Sequence, residues 1–504
     1  TRGSEATFVN AQGLIQSTNE IGVEEITNGS FDTDSDWGGV GSNGFSISGG
    51  KLILTDVPYA RSVSQGNVTT LGKTYKVTFE ISDYVKGSVR VYLGGSVTPT
   101  QTSNGTFTSY VVASANTAVG IQTFDGGGTT LSIDNVSVKE LTTATNTPRL
   151  DYSTGAEAFL LEPQSTNLIT YSEDFSDSYW RKDKLTVTSN SINSPSGEVN
   201  ASLIQETVYT SSIPSIDLNS SIYLIAGSYT CSFYVKRNNV RYLGINFGSG
   251  AERIRTNFDF DTLTFKTPVF NGTTTGELSY TALGDYYRIS VNANFPSTIS
   301  GDINIIPLAT DVYPFYANQN SDNRSFYLWG AQVEQQSYAT SYIPTSGASA
   351  TRNQELCNDS TPVINSEEGT LYFEGSVKSN IGQFGNISIN DGSATNRVRL
   401  EFENGQIKVK IDTTVGQVAN FSNSIDVTSF NKIAIKYKTD DFALWINGVE
   451  VATDTSGVSF VSNTLNNLSF DRGDGLQGFF GNTKDLKYYP KALADVQLQD
   501  LTTI

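Results

Sequence analysis

The most informative absence in this 504-residue chain is histidine, of which there is none. Histidine is the commonest general base near neutral pH and the commonest ligand of transition metals. Its absence therefore excludes histidine-dependent catalytic triads and most zinc sites. Only two cysteines occur, Cys231 and Cys357, and they fall in different predicted domains, which excludes a disulfide framework. Any catalysis would depend on carboxylate, tyrosine or lysine side chains.

Long apolar runs and basic charge are also lacking. No run approaches the length of a membrane-spanning helix, so we expect no membrane insertion. Lys plus Arg number 33 against 51 Asp plus Glu, and the net charge of −18 argues against binding to nucleic acid. The acidity has two interpretations: it keeps a large extracellular particle soluble, or it supplies oxygen ligands for Ca²⁺.

The chain begins at Thr1 with neither an initiator methionine nor a signal peptide. We therefore expect a mature product or the distal part of a longer chain, which would contact other proteins of its particle through a missing N-terminal part.

The residues that are present predict an all-β protein. Tyr 25 and Phe 27 can build several cores, while Gly 45 supplies turns between short runs of alternating or continuous apolar residues. At roughly 100–200 residues per domain, three or four domains are expected. The spacing of the runs favours tandem antiparallel β-sandwich domains of jelly-roll type.

One phrase occurs twice. The stretch from Asn28 to Val138 opens with NGSFDTDSDW and closes with LSIDNVSV, and the stretch from Asp174 to Val333 opens with DFSDSYW and closes with FYLWGAQV. We interpret these stretches as two copies of one sandwich plan. The predicted organisation is a connecting β element of residues 1–22 and 143–168 split by an insertion, a first sandwich at 23–142, a second at 169–345, a linker at 346–358 and a jelly roll at 359–504.

The third domain carries the strongest local signals. Asn404-Gly405 and Asn447-Gly448 each separate two alternating runs, which predicts hairpins, and KALADVQLQDLTTI after Pro490 predicts a short helix. With KIAIKYKTDDFALWINGVEVA and LQGFFGNTKDLKYYPKALADVQLQDL, this domain resembles the concanavalin A-like and laminin-G-like jelly rolls. Hydrolases of that superfamily carry a Glu-x-Asp-x-x-Glu run, which is missing here.

The first sandwich resembles jelly-roll carbohydrate-binding modules through NGSFDTDSDW, GKTYKVTFEIS and IDNVSV. The resemblance implies a structural Ca²⁺ held by Asp32 and Asp134. In the second copy, aligning Phe175 with Phe31 puts Ser176 and Trp329 at those places. A Ca²⁺ site is therefore not expected in the second sandwich.

The phrases around the second sandwich, PRLDYSTGAEAFLLEPQSTNLITYSEDFSDSYW and WGAQVEQQSYATSYIPTSGASATR, resemble those of tailed-phage fibre and spike proteins. This resemblance implies a virion surface appendage, located outside the cell, generally a homotrimer, that contacts the host envelope.

Sugar recognition needs an aromatic ring to stack on a pyranose face, with polar side chains beside it to bond the hydroxyls. Trp37 and Trp180 occupy equivalent places after the first strand and can serve as sugar platforms or as core anchors, whereas Trp329 and Trp445 lie in apolar strands and are expected in the core. Long loops carry function more often than strands do. The predicted loop at 310–325 concentrates further candidates, namely Tyr313, Phe315, Tyr316, Asn318, Asn320, Asp322, Asn323 and Arg324.

These features together predict a non-enzymatic virion fibre or spike that adheres to host surface polysaccharide through multivalent lectin-like sites. Three alternatives remain: a polysaccharide depolymerase, a fibre that only decorates a capsid, and a secreted adhesin or an accessory part of a glycoside hydrolase. For the depolymerase, Asp259 and Asp261 are the paired acids to test, although a solvated turn after the strand is the favoured explanation of them.

Overall fold

A computed structural model of the chain describes residues 2–66, 68–142, 147–208, 213–311, 322–357 and 361–504. The chain divides into two compact units, one made of Thr1–Thr18 with Thr145–Ile504 and the other of Asn19–Ala144. The fold is all-β, built from antiparallel sheets with one short helix in the described ranges, as the residue pattern predicts. No helix in those ranges is long and apolar enough to cross a membrane.

The first strands of the chain form a small hairpin, β1 (Thr7–Val9) with β2 (Ile15–Ser17). The unit Asn19–Ala144 then forms the first sandwich. Its strands are β3 (Glu20–Glu24), β4 (Phe45–Ile47), β5 (Leu52–Val57), β6 (Ser62–Gln65), β7 (Thr74–Lys86), β8 (Val89–Leu93), β9 (Ser96–Val97), β10 (Gly105–Val112), β11 (Val119–Thr123) and β12 (Thr129–Thr142).

Two sheets face each other in the first sandwich. One has the order β10-β7-β12-β5-β4, with β3 also paired to β12, and the other has the order β6-β11-β8-β9. In β8, Val89, Val91 and Leu93 face the core, as do Val119 and Ile121 of β11. Because side chains alternate along a strand, the intervening residues of β8 and β11 form the outer surface of the smaller sheet.

Three short strands follow, β13 (Arg149–Asp151), β14 (Ala158–Leu161) and β15 (Ser165–Asn167). The second sandwich comes next. Its strands are β16 (Trp180–Asp183), β17 (Leu185–Asn193), β18 (Val199–Glu206), β19 (Ser215–Leu218), β20 (Ile222–Leu224), β21 (Gly227–Arg237), β22 (Tyr242–Ser249), β23 (Glu252–Asp259), β24 (Thr264–Phe265), β25 (Val269–Asn271), β26 (Thr275–Leu283), β27 (Tyr286–Phe295), β28 (Ile299–Leu308) and β29 (Ser325–Glu334).

The second sandwich repeats the plan of the first. One sheet has the order β17-β18-β29-β21-β27-β26, and the other has the order β16-β19-β28-β22-β23-β24, with β20 paired to β28 and β25 to β23. The last strand of each copy, β12 or β29, lies inside a six-stranded sheet. The residues 335–345 that follow β29 lie across the outer face of that sheet, where Gln332 Oε1 accepts from the Ile343 N–H at 2.7 Å.

The C-terminal jelly roll begins after β30 (Ala350–Arg352). Its elements are β31 (Glu368–Ser376), β32 (Gln383–Asn390), β33 (Arg397–Glu403), β34 (Gln406–Thr413), β35 (Gly416–Ser424), β36 (Asn431–Lys438), β37 (Phe442–Ile446), β38 (Val449–Asp454), β39 (Asn467–Ser469), β40 (Gly481–Tyr489) and α1 (Asp495–Thr502).

The jelly roll confirms the local predictions. Asn404 and Gly405 join β33 to β34 and both have positive φ, at 49° and 69°, as a two-residue hairpin turn requires. Asn447 and Gly448 do the same between β37 and β38. The predicted helix is α1, and its buried Leu498 packs against Trp445.

The two connecting segments come together around an inserted module, as predicted, since one unit contains Thr1–Thr18 and Thr145–Ile504 and the Tyr152 N–H donates to the Val9 carbonyl at 2.9 Å, but their strands pair differently from the prediction. They were expected to form one β element, but β13 and β14 extend the jelly-roll sheet β13-β14-β40-β31-β36-β37-β38, while β15 pairs with β30. The remaining jelly-roll sheet has the order β35-β34-β33-β32-β39. The exposed edge of β40 accepts β14 because Phe159 and Leu161 contribute apolar surface to the jelly-roll core.

The segment predicted as a linker, 346–358, is instead tied down in its described part by a buried ion network. Arg149 pairs with Glu162 at 2.9 Å and with Glu355, Arg352 pairs with Glu162 at 2.9 Å, and Arg2 pairs with Glu355 at 2.6 Å. Burial opposes the charge of Arg149, but the two carboxylates outweigh it and raise the pKa of the guanidinium. Removing one partner would strand a buried charge, so this network fixes the N-terminal hairpin and the end of the linker together.

Candidate carbohydrate-binding surfaces

Trp37 and Trp180, the two candidates for sugar platforms or core anchors, are core anchors. Trp37 is 5% exposed with its ring 5.3 Å from that of Phe31, and Trp180 is 1% exposed with its ring 5.0 Å from that of Phe175. In both copies the indole N–H donates to the carbonyl of the residue nine positions earlier, at 3.0 and 2.8 Å. Neither ring offers a face to a ligand, so the platform assignment is wrong and the anchor alternative holds. The prediction that Trp329 and Trp445 are buried is confirmed.

The predicted binding loop gives a mixed result. Arg324 is buried, and its Nε and Nη2 donate to Glu206 Oε1 at 2.9 and 2.6 Å. Its guanidinium therefore holds the end of β29 to β18 and is not available to a glycan, which corrects that assignment. Asp322 is exposed, with its N–H donating to Glu206. Five candidates lie outside the described residues, namely Tyr313, Phe315, Tyr316, Asn318 and Asn320.

The two acids proposed for Ca²⁺ lie in neighbouring segments. The Val136 N–H, two residues after Asp134, donates to the Gly29 carbonyl at 2.9 Å, three residues before Asp32. Ca²⁺ takes six to eight oxygen ligands. Within the described residues, no group of three or more Asp, Glu or Cys side chains could hold a metal. A site here would need backbone carbonyls and water to complete it, and calcium stays a prediction.

The outer surface of the β6-β11-β8-β9 sheet carries two polar and aromatic rows. Arg90 lies opposite Gln122, and Tyr92 lies opposite Gly120 on the neighbouring strand. A Cβ atom at Gly120 would lie 2.4 Å from Cζ of Tyr92, so only glycine leaves room for the tyrosine ring against the sheet. Phe124 follows directly after β11 and Tyr59 comes from the turn before β6. We call this surface the first outer face, made of Tyr59, Arg90, Tyr92, Gly120, Gln122 and Phe124.

An aromatic and cationic stack forms the exposed end of the first outer face. The Arg90 guanidinium carbon lies 3.9 Å from the ring centroid of Phe124, whose ring is 5.5 Å from that of Tyr59. Arg90 Nε and Nη2 both donate to Gln122 Oε1, at 3.0 and 2.8 Å, which fixes the guanidinium plane. Tyr59 is 51% exposed and Phe124 is 39% exposed. Both rings are therefore in contact with water, although aromatic rings of this size could be buried in a core. Exposed aromatic side chains next to fixed donors are what stacking on a sugar requires.

The turn that carries Tyr59 is held by hydrogen bonds. The Thr123 hydroxyl donates to the Pro58 carbonyl at 2.6 Å, and the Ala60 N–H donates to the Thr123 carbonyl at 3.1 Å. Ala60 has a positive φ of 56°, a conformation that alanine rarely adopts. The hydrogen bonds therefore hold the turn in a conformation that the backbone alone would not favour. Tyr59 and Phe124 are therefore fixed beside each other from opposite sides of one turn.

Sequence reasoning missed the first outer face. The alternation of SVRVYL does place Arg90 and Tyr92 on one side of a strand, so that signal was present. Their partners on β11 and in the turn before β6 are about thirty residues away along the chain. Only the register of β8 with β11 joins them.

A cleft of about 600 Å³ lies in the unit Thr1–Thr18 with Thr145–Ile504. Its floor is the polar side of β26 and β27, including Ser279, Thr281 and Ser290, and the segment 337–342 forms one wall. Arg288 is fixed at its side by donating to the Thr340 carbonyl at 2.7 Å and to the Ser232 hydroxyl at 3.0 Å. The cleft is rich in hydroxyl groups, but it presents no exposed aromatic pair like that of the first outer face within its described lining.

Two polar loops of the jelly roll meet at one edge. Arg397 donates to the Arg472 carbonyl at 3.2 Å, and Gly473 packs against Asn390. Arg472 and Asp474 of the Arg-Gly-Asp sequence pair with each other at 2.6 Å. The motif is therefore closed on itself, which agrees with a turn rather than a recognition element.

The paired acids considered for a depolymerase are neutralised. Arg241 contacts Asp259 at 3.0 Å and Asp261 at 2.9 Å, and Arg237 also pairs with Asp261. The hydrogen bond from Arg241 lowers the pKa of Asp259. A glycosidase acid needs a raised pKa, so this pair lacks the electrostatics of a catalytic dyad.

Comparisons with known proteins found solved structures of low similarity. The CBM40 domain of the Ruminococcus gnavus IT-sialidase, bound to α2,3-sialyllactose, is 18% identical, with 30% of this chain and 97% of that chain covered at a TM-score of 0.24. The CBM22-1–CBM22-2 tandem of Paenibacillus barcinonensis Xyn10C is 13% identical, with 63% and 98% covered at a TM-score of 0.21. Domains LG4-5 of the mouse laminin α1 chain are 11% identical, with 55% and 89% covered at 0.20.

No protein family and no curated protein matches the chain. TM-scores as low as these carry no inference about function. The β-sandwich fold follows from the sheet order of this chain, and the candidate surfaces follow from its own side chains.

Proposed function

We propose that this chain is a non-enzymatic segment of a virion fibre or spike that adheres to host surface glycan, and that the first outer face is a glycan-binding surface. The observation that carries the proposal is the exposed stack of Tyr59, Phe124 and Arg90 beside Gln122. The segments around the second sandwich resemble those of tailed-phage fibre and spike proteins. This resemblance supports the virion role, the location outside the cell and the homotrimer.

The stack has a physical cost that a ligand would offset. Two aromatic rings in water leave apolar area uncovered, worth roughly 25 cal/mol per Å² once buried. A pyranose ring covers such area with its C–H face, while its hydroxyl groups accept from Arg90 or bond to Gln122. A single site of this kind binds weakly, and a homotrimer would present three copies to one cell surface, which raises the effective affinity.

The test is binding of the full chain to glycan arrays and to whole cells of candidate hosts. We expect Phe124→Ala and Arg90→Ala to reduce binding at least about tenfold with unchanged thermal unfolding, because each removes one layer of the stack. Tyr110→Ala is the matched control, since Tyr110 is also an exposed aromatic beside a cation, Lys76, but lies on the opposite sheet of the same sandwich.

Three results would contradict the proposal. Wild-type binding by Phe124→Ala and Arg90→Ala would remove the first outer face as the site, and absence of binding to any host surface would favour a decorating fibre. New reducing ends after incubation with purified host capsule would show a depolymerase.

A further inference from the structure

The eight-stranded sheet of the second sandwich, which contains β16, β19, β28, β22 and β23, carries a straight row of five polar side chains on its outer surface. Strand pairing puts Arg181 opposite Asp217, Asp217 opposite Asn304, Asn304 opposite Asn246, and Asn246 opposite Arg255. Each of five adjacent strands contributes one residue. We call this row the second outer face because, like the first outer face, it lies on the sheet of its sandwich that does not contain the last strand.

At the acidic end of the row, the carboxylate oxygens already accept several hydrogen bonds. The Asp217 carboxylate is fully buried and accepts from Arg181, from the Ser215 hydroxyl at 3.0 Å and from Asn304 Nδ2 at 2.8 Å. Asn304 Nδ2 also lies 3.3 Å from Asp302, the next carboxylate along β28, which itself accepts from two backbone N–H groups. These contacts neutralise and satisfy the acidic end.

The acid fixes the direction of every amide in the row. A carboxylate only accepts, so Asn304 must turn its Nδ2 toward Asp217 and its Oδ1 toward Asn246. Asn246 must then donate from Nδ2 to that Oδ1, which leaves its own Oδ1 pointing onward. Asn246 is 6% exposed, and its Oδ1 has no hydrogen-bond partner among the described residues. A buried acceptor left unpaired is unfavourable, because it has given up its hydrogen bonds to water without gaining another.

The unpaired acceptor lines a hollow of about 180 Å³. This volume suits one sugar residue rather than a chain. Arg255 is 8% exposed and donates from Nη2 to Asn271 at 2.8 Å, and Arg253 donates to the Gly250 carbonyl at 2.7 Å. Among the described residues that line the hollow, Arg181, Arg253 and Arg255 carry a positive charge and Asp217 carries a negative one. This described lining is net positive in a chain of net charge −18.

The geometry points to a ligand that carries an anionic group and a hydroxyl group side by side. We propose that the second outer face binds one hexuronic acid residue of an acidic polysaccharide, with its carboxylate toward Arg253 and Arg255 and a ring hydroxyl donating to Asn246 Oδ1. Planar guanidinium groups match a planar carboxylate, and a hydroxyl supplies the donor that Asn246 lacks. The inference adds a ligand class to the proposed glycan binding, but its geometry is independent of the first outer face.

The experiment measures binding of the full chain to trisaccharides of glucuronic, galacturonic and mannuronic acid, each against its neutral counterpart, by calorimetry at low salt. We expect at least one uronate to bind about tenfold or more tightly than its neutral partner and to weaken as salt rises. Asn246→Leu and Arg255→Gln should each lose about tenfold or more of that preference. Arg237→Gln, an exposed arginine of the same sandwich paired with Asp261, is the matched control.

Several outcomes would overturn the inference. Equal binding of acidic and neutral trisaccharides, or no binding of any uronate, would do so, as would a sulfated galactose trisaccharide that binds more tightly than every uronate. If Asn246→Leu or Arg255→Gln fails to fold, the wild-type chain still decides, because a uronate must raise its thermal midpoint more than the neutral sugar does. Phe124→Ala separates the two sites: it should leave uronate binding intact even if the first outer face proves to bind nothing.

Discussion

The two sandwiches share a core and differ on their surfaces. Each has a tryptophan packed on a phenylalanine and bonded to a carbonyl nine residues back. The outer surface of the sheet without the last strand is aromatic in the first copy, with Tyr92 and Phe124, and is a row of Arg, Asp and Asn in the second. The difference teaches that the repeated phrase keeps what the fold needs, while the strand positions that face away from the core are free to differ.

The comparison extends to the turn before the anchor. Aligning Phe175 with Phe31 places Glu173 of the second copy at the position of Gly29. At Gly29 an added Cβ would lie 2.0 Å from the Val136 carbonyl oxygen, so the first copy can only hold glycine there. The second copy has space for a carboxyl group, which accepts from the Tyr342 hydroxyl at 2.9 Å and from Asn200 at 3.0 Å.

The largest expected effect tests the shared core. Trp180→Ala and Trp37→Ala should each lower the free energy of unfolding of their own sandwich by about 3–5 kcal/mol, because each empties a buried indole site and strands a backbone carbonyl. Chemical denaturation of the full chain, followed by circular dichroism, measures the loss. A wild-type midpoint for either variant would show that the two copies do not share their anchor.

The second prediction concerns pH and only the second sandwich. Burial raises the pKa of Glu173 to about 7, whereas the unfolded chain has a value of about 4.3. Because the folded pKa is the higher one, the stability contribution is complete below the unfolded value and is lost as pH rises through about 7. The second sandwich should therefore gain up to roughly 3 kcal/mol on acidification from pH 8 to pH 5.

Glu173→Gln should remove that dependence, since glutamine does not titrate and keeps the shape of the side chain. Thermal midpoints of wild type and variant across this pH range give the answer. Parallel curves for the two proteins would mean that Glu173 is not the titrating group.

The third prediction perturbs the first outer face without touching an exposed side chain. Gly120→Ala places a Cβ atom 2.4 Å from Tyr92 Cζ and so displaces the ring from the sheet. We expect a stability loss of about 1–2 kcal/mol and a severalfold loss of glycan binding. Gly126→Ala, where a Cβ atom would meet nothing within 4 Å, is the control. Unchanged binding by Gly120→Ala would exclude Tyr92 from the site.

The smallest effect tests calcium, which the sequence predicts for the first copy alone. If Asp32 and Asp134 help to hold Ca²⁺ with the affinity of extracellular modules, millimolar Ca²⁺ should stabilise the first sandwich by about 1 kcal/mol. Asp32→Asn should abolish this gain, and Asp177→Asn in the second copy should have no effect on it. A thermal midpoint that is the same in Ca²⁺ and in a chelator would end the calcium prediction.

Sequence reasoning succeeded where the signal is local. The Asn404-Gly405 and Asn447-Gly448 hairpins and the C-terminal helix depend on backbone preferences of a few adjacent residues, and all three are present. The buried positions of Trp329 and Trp445 follow equally from their apolar strands. Local pattern is enough for these features because no distant partner is needed to specify them.

Sequence reasoning failed where a side chain forms an ion pair with a residue that is distant in the sequence. Arg324 was expected to face a ligand. Its buried guanidinium instead donates to Glu206, which lies more than a hundred residues earlier in the sequence. The polar segment around Arg352 and Glu355 was expected to be a linker, yet it completes a buried ion network with Arg149 and Glu162. Composition alone cannot distinguish a solvated arginine from one with a buried carboxylate partner.

By itself the sequence determined an all-β chain, the repeated sandwich plan and the jelly-roll hairpins, because alternation and turn chemistry are encoded within a few residues. Only the tertiary structure decided which residues face outward together. Arg90 meets Gln122, and Asn246 meets Arg255, through strand register, and a shift of one residue in register would turn every one of these side chains to the other face. The candidate ligand surfaces of this protein are a property of that register, which long-range packing of the two sheets sets.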